Sequence, residues 1–269
     1  MFIDVLGHRT YAYTGGQPWR PELPTAVFVH GVLCDHSVWA LQSRYLAHHG
    51  WNVLAVDLPG HCKSAGEAPV NVEAAADFVV ALLDAIDAPR AALIGHSWGS
   101  LIALQAAAQL GARATHLALV GTAFPMKVAP AMLQSALDTP DEAIRAVNIF
   151  SRSTLSPPKG VGSWVFGAGM ALGRRVLASN LHTNVMHRGF VACNDYAGGE
   201  DAIRAITCPV MFALGAQDQM TPPRAADSLV KVAQEVGKTV QVVPLPCGHN
   251  QMTEAPDATL DALWGFLAT

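Results

Sequence analysis

Residues Ala91–Ala92–Leu93–Ile94–Gly95–His96–Ser97–Trp98–Gly99–Ser100 decide the fold. An apolar run stops at a glycine, a serine stands between two glycines, and a helix-like run, Leu101–Ala106, follows at once. The order predicts strand, sharp turn and helix, with Ser97 at the bend. The pattern G-x-S-x-G in this setting is a nucleophile elbow. The serine takes a strained backbone so that its hydroxyl stands clear of the sheet. Strand and helix press together on either side, and glycine at 95 and 99 leaves out the Cβ that would collide. The helix N-terminus behind Ser97 supplies free N–H groups and a positive dipole end where negative charge would form.

Outward from this stretch the chain alternates. Toward the N-terminus, Phe2–Leu6 and Tyr11–Thr14 predict an antiparallel pair around Gly7. Thr25–His30 and Trp51–Val56 read as buried strands. A helix lies between them, through Trp39, Leu41, Tyr45 and Leu46, and another covers Asn71 to Ile86. Toward the C-terminus come a helix to about Leu110 and strands at Thr115–Val120, Pro209–Leu214 and Thr239–Val243. Helices are expected over Arg224–Val236 and Asp257–Leu267. Strands alternating with helices predict a parallel, doubly wound α/β sheet. The rhythm breaks from Phe124 to about Ile206. There the pattern predicts a helix start near Thr139 or Pro140, a loop at Ser156–Gly160, a glycine-rich stretch from Gly160 to Gly173 and a helix through Val176–Phe190. A helical insertion between two halves of one sheet is the simplest account.

The composition suits a sizeable core. Of 269 residues, 51% are hydrophobic and 14% charged, too little charge for disorder. A net charge of −4 with no Lys/Arg cluster excludes nucleic acid and anionic membranes as expected partners. The start lacks a basic region before an apolar core, and no apolar run is long enough for a membrane span. Five scattered cysteines (34, 62, 193, 208 and 247) lack metal-type spacing. Free thiols, a cytoplasmic location, and no metal or cofactor are the expectation.

A serine hydroxyl needs a base, and the base needs a carboxylate to orient it. With the order serine, acid, histidine, Asp218 fits the acid position. It follows the strand ending at Leu214, in Gly215–Ala216–Gln217–Asp218. The loop after the strand containing Leu119, Gly121–Phe124, offers no carboxylate. His249 fits the base position in Cys247–Gly248–His249, where Gly248 is expected to let the loop turn. Among 11 histidines, His182 and His187 precede the acid and His116 lies within a strand. Oxyanion donors are expected from the backbone N–H groups of Trp98 and Val32, the latter following Gly31. His30 reads as a brace for that loop, and Cys34 as a small buried apolar residue.

Together, His30–Gly31, Asp57–Leu58–Pro59–Gly60–His61 with Ser64, the elbow, Gly215–Asp218 and Gly248–His249 resemble the α/β-hydrolase superfamily over nearly the whole chain. The resemblance implies an α/β-hydrolase fold: a mostly parallel eight-stranded sheet with helices on both faces and an inserted helical cap. It puts the core at residues 1–123 and 206–269 and the cap at 124–205, over the elbow. Asp57–Ser64 is read as a structural turn. Leu33, Phe124, Trp164 and Met220 are the candidate substrate-contacting residues. Met126, Met132, Phe150, Phe166, Met170 and Met186 suit an apolar wall or helical packing equally. Serine at the elbow argues against alkyl-enzyme chemistry, which uses a carboxylate.

The expected function is serine hydrolysis of a small, largely apolar carboxylic ester or lactone, with no partner beyond that small molecule; a homodimeric state stays open. Carbon–carbon bond hydrolysis of a ring-cleavage product would want a cationic clamp, with Arg174, Arg175 and Arg188 as candidates. Proline iminopeptidase-like amide hydrolysis would want acidic residues such as Glu142 and Glu200. A ligand-binding protein on a hydrolase scaffold is the reading from another class.

Overall fold

A computed structural model describes residues 1–153 and 162–269, with backbone alone at 162–165. Eight strands form one sheet in the order β1-β2-β4-β3-β5-β6-β7-β8. They are β1 (Phe2–Val5), β2 (His8–Tyr13), β3 (Thr25–Val29), β4 (Asn52–Val56), β5 (Ala91–His96), β6 (Ala114–Val120), β7 (Val210–Gly215) and β8 (Val240–Leu245). The first two strands pair antiparallel with each other, and β2 pairs antiparallel with β4; every later pairing is parallel.

The parallel strands are buried on both faces, so they read as continuous apolar runs. Their side chains still alternate between two cores. Val27, Val29, Leu93, Leu117, Leu119 and Phe212 face α2 (Val72–Ala85) and α3 (Trp98–Leu110). Ala26, Phe28, Ile94, Ala118, Val120 and Met211 face the opposite layer, where α1 (Ala40–His48) contributes Leu46. Asn71 starts α2 by accepting the N–H of Ala74 on its side chain.

Among the described residues, five helices lie between β6 and β7: α4 (Pro130–Asp138), α5 (Pro140–Phe150), α6 (Gly162–Ala178), α7 (Val185–Asp195) and α8 (Gly199–Ala205). After β7 come α9 (Asp227–Glu235), α10 (Gln251–Glu254) and α11 (Pro256–Leu267), the last completing the α1 layer with Leu263 and Phe266. Helix α8 buries Ile203 in the same core as α3, whereas α4–α7 gather Ala136, Ile144, Met170, Met186 and Phe190 into a separate cluster.

One local expectation is corrected. The single helix expected over Val176–Phe190 is two: α6 ends at Ala178, and Asn184 caps α7 by accepting the N–H of His187. From Gly162 onward, the glycine-rich stretch belongs to α6. Two of its glycines serve packing: a Cβ on Gly169 would strike the Asn148 side chain and one on Gly173 would lie 2.7 Å from Ile144 Cγ2, both on α5.

The winding direction reverses at β3. The chain steps from β3 to β4 on one side, then returns to place β5 on the other. Ligands in open α/β sheets bind beyond the carboxyl ends of strands at such a switch point. The loops after β3, β5, β7 and β8 all emerge at that edge.

Candidate active site

The bend after β5 has the expected strain. Ser97 adopts φ 54°, ψ −122°, in the left-handed region that non-glycine residues avoid. It is held there from three sides. Its N–H donates to Val120 O at 2.9 Å. Ser100 Oγ donates to Ser97 O at 2.5 Å and lies 2.8 Å from Thr122 Oγ1. A Cβ on Gly95 would overlap the Gly99 carbonyl, and one on Gly99 would overlap the carbonyls of Val29 and His30. These close approaches fix glycine at both positions.

Parallel pairing sets Val29 beside Gly95, which brings the loop after β3 against the elbow. A Cβ on Gly31 would lie 3.1 Å from Ser97 Cβ. Val32 follows at once, and Leu33 takes φ 58°, a second strained residue at this edge. Trp98 is the first residue of α3, where backbone N–H groups have no intrahelical acceptor. Helix α7 covers both residues: a Cβ on Gly189 would lie 2.9 Å from Val32 Cγ2 and 3.5 Å from Trp98 Cε3. His30 braces the loop, as expected. Its Nε2 accepts the Leu58 N–H at 3.2 Å, so its proton sits on Nδ1, which donates to Gly31 O at 2.9 Å. The Asp57–Ser64 turn is tied back to the start of the chain, with Ser64 Oγ donating to Asp57 O and accepting from the Tyr11 N–H.

Asp218 and His249 meet at the ends of β7 and β8. His249 Nδ1 lies 2.8 Å from Asp218 Oδ2, with both side chains buried. A carboxylate only accepts, so the proton sits on Nδ1 and Nε2 keeps its lone pair. Asp218 Oδ1 accepts the N–H groups of Met220 and Thr221, each at 2.8 Å. Burial disfavours its charge, but the His249 ring and the Thr221 hydrogen bonds outweigh that and hold the carboxyl below its ordinary range.

Ser97 and His249 line one cavity of about 630 Å³, together with Val32, Leu33 and Met220. The volume suits a small organic ligand. Met126, Met132 and Phe150 also line it, whereas Met170 and Met186 pack between helices. Phe124, expected at the substrate, is elsewhere. Its ring fits over Gly199 and meets Tyr196 at 6.0 Å between centroids, against the main core. The chain turns back onto α9 there: Phe124 N donates to Ala225 O, and Phe124 O accepts from Ser228 Oγ. The side chain of Trp164 lies outside the described residues.

Of the candidate clamp, Arg174 pairs with Asp141 on the exposed surface and Arg188 donates to Ala68 O. Arg175 lines the cavity, and its charge is met by Asp35 at 2.6 Å. Burial raises the pKa of Asp35, but Ser37 and Arg175 more than reverse this and hold the carboxyl well below the usual range. The pair joins α6 to the loop after β3. Neither Glu142 nor Glu200 is among the cavity-lining residues.

Sequence reading missed two features, the roles of Thr221 and His96, and the expected role of Gly248 changes. Thr221 Oγ1 touches both members of the acid–histidine pair, 2.7 Å from Asp218 Oδ2 and 2.9 Å from His249 Nδ1. Its position three residues after the acid is a signal that could have found it. His96 Nε2 donates to His249 O at 2.8 Å; burial first, and then the neighbouring His249, lower its pKa to about 3 and keep the ring neutral. Gly248 does not take the left-handed backbone that a turn glycine would. A Cβ there would lie 2.6 Å from Ser153 N and 2.8 Å from Arg152 C. The close approach of another chain segment requires the glycine.

The alpha/beta hydrolase family model matches residues 26–262, and the chain belongs to that family. It is 29% identical over 234 residues to a pimeloyl-[acyl-carrier protein] methyl ester esterase of Neisseria meningitidis, covering 78% of this chain and 83% of that protein. It is 35% identical over 121 residues to the dihydrolipoyllysine-residue acetyltransferase component of the acetoin cleaving system of Cupriavidus necator. That match covers 44% of this chain and spans only 31% of the relative's length. The enol-lactonase of Burkholderia xenovorans has the same fold, with a TM-score of 0.82, 21% identity and full coverage of both chains.

Proposed function

We propose that the chain is a serine hydrolase acting on a small, largely apolar carboxylic ester or lactone through an acyl-enzyme. The observation that carries the reading is the strained Ser97 opening onto the same cavity as a histidine whose Nδ1 is committed to a buried carboxylate. That arrangement leaves His249 Nε2 free to take a proton.

In this reading Ser97 Oγ attacks the substrate carbonyl carbon while His249 Nε2 accepts the hydroxyl proton. The carbonyl oxygen becomes an oxyanion, which accepts from the N–H groups of Val32 and Trp98. Collapse breaks the bond to the alcohol oxygen, and the imidazolium returns its proton to that leaving group. Water, deprotonated by His249, then attacks the acyl-enzyme and releases the acid and Ser97. Asp218 stays ionised throughout, stabilising the imidazolium. Helices α4–α7 act as a lid whose apolar side chains receive the acyl group. The dispersal of Arg174 and Arg188 favours an ester over an anionic ring-cleavage product.

A fluorophosphonate probe tests the reading. It should label the wild type and leave Ser97→Ala unlabelled, and His249→Ala should lose about 10⁴-fold or more in turnover of p-nitrophenyl esters. A folded wild type that takes up no probe would overturn the proposal.

A further inference from the structure

Helix α5 is followed by Ser151–Arg152–Ser153, and this segment is bonded to the loops that carry the acid and the base. Ser151 O accepts the N–H of His249 itself at 2.9 Å and that of Asn250 at 3.1 Å. Asn250 Nδ2 donates to Ser151 Oγ at 2.9 Å. On the acid side, Gln219 Nε2 donates to Arg152 O at 3.0 Å, and Ser153 Oγ donates to Gln217 Oε1. Glu254, at the end of α10, closes the arrangement. Its Oε2 accepts the N–H of Ser153 at 2.9 Å and that of Gly248 at 3.3 Å. One carboxylate oxygen therefore ties the inserted segment to the residue preceding the histidine.

The backbone of His249 is thereby held at both ends. Its N–H goes to the inserted segment, and its carbonyl accepts from His96 on the elbow. Its ring then has only the two side-chain torsions left to set, and the hydrogen bond to Asp218 constrains them. A loop histidine without these restraints would sample orientations in which Nε2 misses the serine, and a misplacement of 1 Å can cost two orders of magnitude in rate. The absence of a side chain at Gly248 is what lets the two backbones approach.

We infer that Glu254 and Gly248 are positioning residues: they clamp Ser151–Ser153 onto the histidine loop, so that the inserted helix α5 helps to set the orientation of His249. The inference rests on the reading of His249 as the base.

Glu254→Ala and Gly248→Ala test it, with Glu254→Gln as the conservative control that keeps an acceptor oxygen. The substrate is p-nitrophenyl acetate, whose acyl group is too short to depend on a lid-lined acyl site. Expected for both alanine variants is a fall in kcat of roughly 10- to 100-fold with KM within about twofold, and recovery of most of it in Glu254→Gln. A segment that served only to dock the lid would lower the melting temperature and leave kcat on acetate unchanged, and that result overturns the inference. Should Gly248→Ala fail to fold, the two Glu254 variants decide it. A second readout does not need turnover. The wild type should show a downfield proton resonance for His249 Nδ1–H, and this resonance should broaden or vanish in Glu254→Ala. If the wild type hydrolyses nothing yet the resonance responds, the clamp stands and the esterase reading falls. An unmoved resonance in a folded Glu254→Ala overturns the clamp.

Discussion

Replacing Thr221 by valine keeps the shape of the side chain and removes one hydroxyl from the Asp218–His249 pair. The hydroxyl lies 2.7 Å from Asp218 Oδ2, 3.0 Å from Gly121 O and 2.9 Å from His249 Nδ1, all of it buried. Its single proton goes to one of the two acceptors, and its lone pair faces the Nδ1–H. In valine, Asp218 Oδ2 keeps only the histidine, and Nδ1–H keeps only the carboxylate. A hydrogen bond to a buried charged group contributes about 1.5–3 kcal/mol, so the variant should lose about 2 kcal/mol of stability and melt about 4 °C lower. Weaker steadying of the imidazolium should cost a further 1.4–2 kcal/mol in the transition state, or about 10- to 30-fold in kcat. Thr221→Ser, which keeps the hydroxyl, should retain most of both. Steady-state kinetics on a p-nitrophenyl ester, with thermal melts of the three proteins, provide the comparison. A Thr221→Val protein with wild-type kcat and melting temperature would mean that the hydroxyl shares nothing with the pair it touches.

Acid should destabilise the fold well before its carboxylates protonate. Burial lowers His96 and His61 from 6.5 to about 3. Between those values the unfolded chain binds protons that the folded chain refuses, so stability is full above about pH 6.5 and falls as pH drops, by about 1.4 kcal/mol per pH unit for each ring. By pH 5 the two together should lower the melting temperature by roughly 8 °C; a melting temperature that stays flat from pH 7.5 to 5 would contradict this. Gly95→Ala should yield little folded protein, since the new Cβ meets the Gly99 carbonyl and comes within 2.7 Å of Ser100 Cα. Gly111→Ala, with positive φ but open space around it, should fold and cost about 1–3 kcal/mol of backbone strain. Equal yields and equal melting temperatures for these two variants would show that the elbow tolerates a side chain.

The frame is legible along the chain. Apolar runs of strand length punctuated by Gly31, Gly95 and Gly215 announce buried parallel strands, because both faces of such a strand are covered and no polar residue is needed. The order of Ser97, Asp218 and His249 along the chain was legible because each follows a strand, and strands that run parallel deliver their ends to one edge. Tertiary structure alone decided what surrounds them. Thr221 reaches the acid–histidine pair only because the Asp218 carboxylate turns its own backbone back on itself. Phe124 leaves the cavity because the chain there folds back onto α9. Gly248 is a glycine because of Arg152 and Ser153, 96 and 95 residues earlier in the chain. Contacts across such separations have no period and no local motif, so no window of sequence displays them. They come into being when the inserted helices settle on the sheet edge that the elbow had already marked.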